Sequence, residues 1–392
     1  MFDQLNAYLN SLHHLYGIPE CGCMITRNHD ILYSHMCGYS DLSGKTPASE
    51  SDLFFLYSAT KIVTMTAIMQ LIEKGKIGLY DEIENYLPEY GRMRVCSHFE
   101  FPDKPPVIWP KSDTPCYEAK NKIKIIDLMT MTSGLSYDTS SAPLLQIKKA
   151  SKNKASTRQV ISAIAQMPLV YEPGTRWLYS LSHDVLGAIV EIVSQKQYGS
   201  YVKKYIFDPL DIQDLYFHIT DSIRSRLAAQ YSMDRTTCAI TPIPLENPFQ
   251  LTLKYESGGA GLIGSLYAYS KVLEALANGG TGRNGGTILN EKTVQMFCTP
   301  YLTEKMLQDF SKAGKKGYSY GLGVRVLQNP EHSKSPIGEF GWDGAAGAYA
   351  LVDIKNKISI FYVQHVVGCR NAYEIIHPSI RDLVYEELSS LH

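Results

Sequence analysis

Apolar and polar positions divide the chain into strand-like ends and a mainly helical middle. Residues 1 to 16 carry apolar positions at helical spacing and predict an amphipathic helix. The segments 21 to 26 and 31 to 36 flank Asn28-His29-Asp30 and predict a β-hairpin. After a turn-rich stretch from Gly38 to Ser51 comes the apolar run Leu53-Phe54-Phe55-Leu56-Tyr57. The helix predicted next has Ile62, Val63, Met65, Ile68, Met69 and Ile72 as a broad apolar surface and ends near Lys74-Gly75-Lys76, with glycine as its cap. Five prolines between 96 and 121 predict a long surface excursion of the kind that can flap over a site. Helical patterns follow near 123–132, 156–167, 183–195 and 199–206. Gly258-Gly259-Ala260-Gly261 then precedes a helix over 265–277. Strand patterns occupy 320–327, 346–353 and 358–365, with a hairpin turn at 353–357 and a last helix over 373–391.

This order predicts an α+β fold: one antiparallel sheet built from both termini, residues 1–78 and 250–392, with a mostly helical insertion at 79–249. At 392 residues and 44% apolar content the chain can bury one large core or two moderate ones. A formal net charge of −1 gives no electrostatic reason to expect nucleic acid, and points to a small neutral substrate or another protein. No apolar run reaches about 18 residues, so no membrane span is expected. The first residues lack the basic and apolar regions of a secretion signal, and a cytoplasmic location is expected. Among eight cysteines only Cys21 and Cys23 are closely spaced, which makes neither a disulfide framework nor a zinc spacing, and reduced thiols are expected. The eleven histidines are scattered, and neither a metal nor a cofactor is expected.

Ser58-Ala59-Thr60-Lys61 sharpens this picture, because it sets a hydroxyl and an amine one helical turn apart on one face. A serine can then become a nucleophile without a histidine. The tetrad alone is weak, since about two matches arise by chance in such a chain, and Ser151 to Lys154 and Ser200 to Lys203 also fit. Those two lie in polar surroundings, whereas the Ser58 pair is carried inward by an apolar helix.

Three further segments add to it in order. They are the run 128–135, Leu-Met-Thr-Met-Thr-Ser-Gly-Leu; Glu172-Pro173-Gly174-Thr175 leading to Tyr179-Ser180-Leu181; and Phe340-Gly341-Trp342-Asp343-Gly344. Together they resemble the serine β-lactamase-related superfamily, and within it the class C-like esterase branch, over nearly the whole chain. The resemblance implies an α/β domain from both termini with a helical insertion. It also implies Ser58 as nucleophile, Lys61 as base or as the partner that lowers a pKa, and Tyr179 as a general base. The oxyanion hole would be the backbone amides of Ser58 and Ala345, and Trp342, Asp343, Gly344 and Leu181 would meet the substrate.

Two departures from the family pattern bear on substrate. β-Lactamases and cell-wall peptidases carry Lys-Thr-Gly at the third motif, where this chain has Trp342-Asp343-Gly344. A carboxylate-binding cation is thereby replaced by an indole, and Asp343 would repel an anionic ligand. Leu181 stands where the family's Tyr-x-Asn has asparagine. A carboxylesterase acting on small uncharged esters or related amides is therefore expected. The alternatives are a β-lactamase- or D-amino-acid-peptidase-like amidase, an acyltransferase, or a binding homologue that has lost catalysis. A rival nucleophile, Ser319 in Gly317-Tyr318-Ser319-Tyr320-Gly321, matches the GxSxG elbow, with Asp343 or Asp353 and His365 as partners. An elbow needs a strand before it and a helix after it, and the pattern offers a polar turn and then a strand.

Overall fold

The hairpin and the last strands meet at the centre of one sheet. The computed structural model describes residues 2–99, 108–110 and 114–390. Its main sheet comprises β1 (Glu20–Arg27), β2 (Asp30–Gly38), β3 (Tyr318–Tyr320), β4 (Arg325–Leu327), β5 (Phe340–Gly341), β6 (Tyr349–Asp353) and β7 (Ile358–Gln364). The order is β3-β4-β5-β6-β7-β1-β2, antiparallel throughout, so the two ends of the chain join where β7 pairs with β1, Cys21 opposite Gln364. All seven residues of β7 are buried, the polar Ser359 and Gln364 included, as befits a mainly apolar strand covered on both faces.

Helices α1 (Asp3–Tyr16), α4 (Leu266–Ala277) and α5 (His377–Ser389) cover this sheet, and α2 (Thr60–Glu73) packs against α3 (Ser182–Ser194) of the helical half. On one face Cys21, Cys23 and Ile25 of β1 pack with Leu5, Leu9 and Leu12 of α1 and Ile380, Val384 and Leu388 of α5. On the other, Met24 joins a larger core with Leu266 and Leu273 of α4, α2 and α3. Gly22 leaves room there for the Met36 side chain, whose sulfur would stand 2.1 Å from a Cβ at this position. Residues 60–71 of α2 are all buried, which is the setting expected for a helix apolar nearly all round.

Several elements depart from the sequence expectations. The strand expected over 320–327 is the hairpin β3–β4, turned at Gly321 and Gly323, where Gly323 has φ 74°. The strand expected from 346 begins at Tyr349, because Gly344 donates to the Ala348 carbonyl and Gly347, at φ 95°, closes a turn. The helix Ala142–Ala150 and the hairpin Gln230–Met233 with Ile240–Ile243 were not anticipated. Leu215–Tyr216 pairs with Ile263–Gly264, and Gln230–Met233 pairs with Val366–Val367, so chain from 215 onward already joins elements of the sheet half. Much of the 96–121 excursion lies outside the described residues. Its Trp109 is buried, with the indole N–H donating to Pro168 O at 2.9 Å.

Candidate active site

The apolar run before Ser58 leads into a tight turn. Phe54–Phe55 pairs with Ile263–Gly264, and Tyr57–Ala59 then forms a 3-10 turn that leads into α2. Tyr57 is left-handed, φ 46°, which costs a non-glycine residue roughly 1 to 3 kcal/mol. Its hydroxyl donates to Gln230 Oε1 at 2.7 Å and its ring meets Phe249 edge-on, so the surroundings hold that conformation. The turn sets Ser58 at the start of α2 with Lys61 on the next turn.

Lys61 is wholly buried. Its Nζ lies 3.2 Å from Ser58 Oγ and donates to Gly259 O at 2.7 Å. Burial lowers its pKa to about 7, with the Asp184 carboxylate pulling the other way. At neutral pH a large share of Lys61 is therefore free amine, able to accept a proton. Asp184 also builds the turn that supplies Gly259 O. Its Oδ1 accepts from Tyr255 OH at 2.5 Å, Ser257 Oγ at 2.6 Å and Gly259 N at 3.3 Å. A Cβ on residue 259 would stand 2.5 Å from Asp184 Oδ2, so glycine is needed at this point.

Tyr179 approaches Ser58 from the helical half, its hydroxyl donating to Ser58 Oγ at 2.7 Å. Its ring is stacked between Tyr137, with centroids 5.2 Å apart and planes at 11°, and Trp342, at 5.6 Å and 21°. The Trp342 indole N–H donates to the Tyr179 oxygen at 3.1 Å. Lys61 Nζ lies 4.7 Å from the Tyr179 ring centroid. Burial raises the Tyr179 pKa above the ordinary phenol value, although its hydrogen bonds with Ser58 and Trp342 oppose the shift. These directions make Lys61 the better resting base and Tyr179 a neutral phenol that can relay a proton.

The opposite wall comes from the turn after β5. A Cβ on Gly344 would stand 2.4 Å from Leu56 O, so this segment runs directly against the chain leading into Ser58. That packing brings the Ala345 segment beside the Ser58 turn, with Ala345 against the cluster of Phe55 and Tyr57.

A family model described as beta-lactamase matches residues 5–370. The chain belongs to the beta-lactamase family. An acyltransferase, calJ, of Penicillium decumbens is 26% identical over 377 residues, covering 90% of this chain and 84% of that protein. Esterase EstB of Burkholderia gladioli is 25% identical over 398 residues, covering 92% and 89%. The solved structure of EstCE1, a hydrolase with promiscuous acyltransferase activity, superposes with TM-score 0.76 at 24% identity and covers 97% of both chains. The fold is accordingly β-lactamase/transpeptidase-like, and this family member is a serine hydrolase.

Within this family framework the residues singled out from sequence separate. Ser58, Lys61, Tyr179 and Trp342 form one connected cluster, and Gly344 and Ala345 border it. Asp343 does not join them. It is buried behind the strand, paired with Arg325 Nη1 at 2.7 Å and with Lys315. Burial opposes its ionisation, yet Arg325 and Lys315 hold the carboxyl below the usual carboxylate range. The expected repulsion of anions by Asp343 is thereby cancelled, because adjacent residues of an extended segment face opposite ways and 342 takes the site. Leu181 is buried in the main core, and its carbonyl caps the start of α3 by accepting from Asp184 N and Val185 N.

The rival serines are placed elsewhere. Ser319 is buried in β3 opposite Val326, and His365 is spent on backbone, with Nδ1 3.0 Å from Ala228 O and Nε2 accepting from Phe55 N. Ser200 is exposed, and Lys203 pairs with Asp208. Sequence reasoning missed Tyr137, two positions past the 128–135 run, and the Asp184–Gly259 brace, whose partners are 75 residues apart.

The brace makes a prediction. Asp184→Asn keeps the shape and removes a negative charge that raises the Lys61 pKa, so the acid limb of kcat/KM for an ester should move to lower pH. A pH profile with an unmoved or upward-shifted limb would disprove the coupling.

Proposed function

We propose that this chain is a carboxylesterase acting on small uncharged acyl esters through an acyl-enzyme on Ser58. The observation that carries this reading is Ser58 Oγ held between Tyr179 OH at 2.7 Å and Lys61 Nζ at 3.2 Å. Ser58 Oγ attacks the ester carbonyl and its proton passes to the Lys61 amine, directly or through the Tyr179 hydroxyl. The amides of Ser58 and Ala345 receive the oxyanion. Collapse of the tetrahedral adduct breaks the bond to the leaving alkoxide, which takes the proton back from Lys61 by way of Tyr179. Water then repeats the sequence on the acyl-enzyme and releases the acid.

Substrate class follows from charge. Position 342 presents an indole committed to Tyr179, and the two cations behind it, Arg325 and Lys315, are tied to Asp343. A substrate carboxylate would lack the charge-assisted contact worth roughly 1.5 to 3 kcal/mol, or one to two decades of recognition. EstB, an esterase by name, agrees with this reading.

The test compares a short-chain nitrophenyl ester with the same ester bearing a free carboxylate on its acyl chain. The uncharged ester should be favoured in kcat/KM by at least about tenfold. Equal or faster turnover of the charged ester would overturn the substrate assignment. Transfer of the acyl group to an alcohol is a second fate of the same intermediate, favoured by the likeness to an acyltransferase. Product analysis with added alcohol measures that partition. A purely binding role has no use for a serine clamped between an amine and a phenol.

A further inference from the structure

We propose that Cys96 and Cys116 are a disulfide-forming pair, which a small-molecule disulfide closes under mild oxidation to tie off residues 97–115 at their base. The eight cysteines are free thiols in this structure, and these two face each other across the short ladder of Arg94–Cys96 with Cys116–Glu118. Their sulfurs stand 3.8 Å apart.

The ladder decides the geometry. Ser97 donates to Pro115 O at 2.9 Å, which makes 97 and 115 a hydrogen-bonded pair. Cys96 N donates outward to Leu169 O at 3.0 Å, so 96 and 116 form the neighbouring non-hydrogen-bonded pair. In antiparallel ladders that class brings facing side chains closest, with Cα atoms about 4.5 Å apart, inside the span a disulfide bridges. Side-chain rotation can then bring the sulfurs to the roughly 2 Å of the bond.

A second cysteine pair faces across β1 and β2, in a less favourable setting. Cys21 and Cys37 lie opposite one another in β1 and β2, with sulfurs 3.2 Å apart. Tyr39 donates to Pro19 O, and counting two residues inward makes 21 and 37 a hydrogen-bonded pair, with wider Cα spacing. Cys21 is buried under α1, and the Cys37 thiol is directed to Leu9 O of that helix. Access and ladder class therefore both favour Cys96–Cys116, where Cys116 is partly exposed at the edge of a two-stranded ribbon.

The chemistry balances by exchange with a disulfide such as glutathione disulfide. The Cys116 thiolate attacks one sulfur, forms a mixed disulfide and expels one glutathione thiolate. The Cys96 thiolate then attacks the Cys116 sulfur, forms the protein disulfide and expels the second. The two protons lost by the cysteines end on the two glutathiones, which carry the two electrons. Burial, with the neighbouring Cys116 thiol, pushes the Cys96 thiol up to about 12, and burial still opposes its ionisation once Cys116 is the mixed disulfide.

Incubation of the full chain with glutathione disulfide at neutral pH should lower the free-thiol count by two. Peptide mapping should recover Cys96 joined to Cys116, and apparent Tm should rise by at least about 2 °C through loop closure. Cys116→Ser and Cys96→Ser should each lose the linked peptide and the Tm rise while keeping basal ester hydrolysis. An unchanged thiol count, a glutathione adduct that persists on Cys116, or linkage of Cys21 to Cys37 in its place would overturn the proposal.

Discussion

Ser58→Ala is expected to lower ester hydrolysis by at least about 1,000-fold while leaving the fold and Tm nearly unchanged. The size of the effect follows from covalent catalysis: without the oxygen no acyl-enzyme forms, and the remaining groups can only polarise the substrate. The fold should persist because the side chains that Ser58 Oγ meets, Lys61, Tyr179 and Tyr137, are held by other contacts as well, Lys61 by Gly259 O and the two rings by stacking on each other. A fluorophosphonate probe gives an independent reading. Labelling should vanish in Ser58→Ala and survive in Ser319→Ala, since Ser319 is closed inside β3. The reverse pattern would move the nucleophile to the GxSxG segment and sink the mechanism.

The second large effect concerns Lys61. With its pKa near 7 it accepts a proton above that pH and is an ammonium below it, so kcat/KM should fall about tenfold per unit on the acid side of 7. Lys61→Ala should cost at least about 100-fold and remove that limb. Lys61→Arg should not restore activity, because a guanidinium stays protonated throughout. An acid limb that survives in Lys61→Ala would show that another group titrates. Tyr179→Phe separates relay from packing: the ring stays stacked between Tyr137 and Trp342 while the hydroxyl bonded to Ser58 is lost. Loss of activity at an unchanged limb position fits a neutral phenol acting beside a lysine base.

How far the chain could be read in advance differs by element. The hairpin at 20–38, α2 and the long strand β7 were legible because each combines strong periodicity or a mainly apolar composition with glycine or turn residues beside it. The hairpin β3–β4 was mistaken for one strand because its apolar run continues through Gly321 and Gly323, and only backbone pairing shows where the chain doubles back. Ser58 and Lys61 could be paired from sequence because a helix turn fixes their relation locally. Tyr179 could be named only through the order of motifs. That its oxygen lies 2.7 Å from Ser58 is a property of two distant segments packed together.

The sequence by itself determined the kind of fold, the Ser58–Lys61 pair and the exchange of a third-motif lysine for Trp342, since each is written in local order or residue type. Tertiary structure alone decided the rest. It turned Asp343 away into an ion pair with Arg325 and Lys315, and put the Trp342 N–H on Tyr179. It buried Lys61 against Gly259 so that its pKa falls to about 7, and braced that contact with Asp184. It also set Cys96 across a strand pair from Cys116. The reason is common to all of these. Proton affinity, facing direction and pairing depend on what is desolvated beside a group, and those neighbours come from remote parts of the chain.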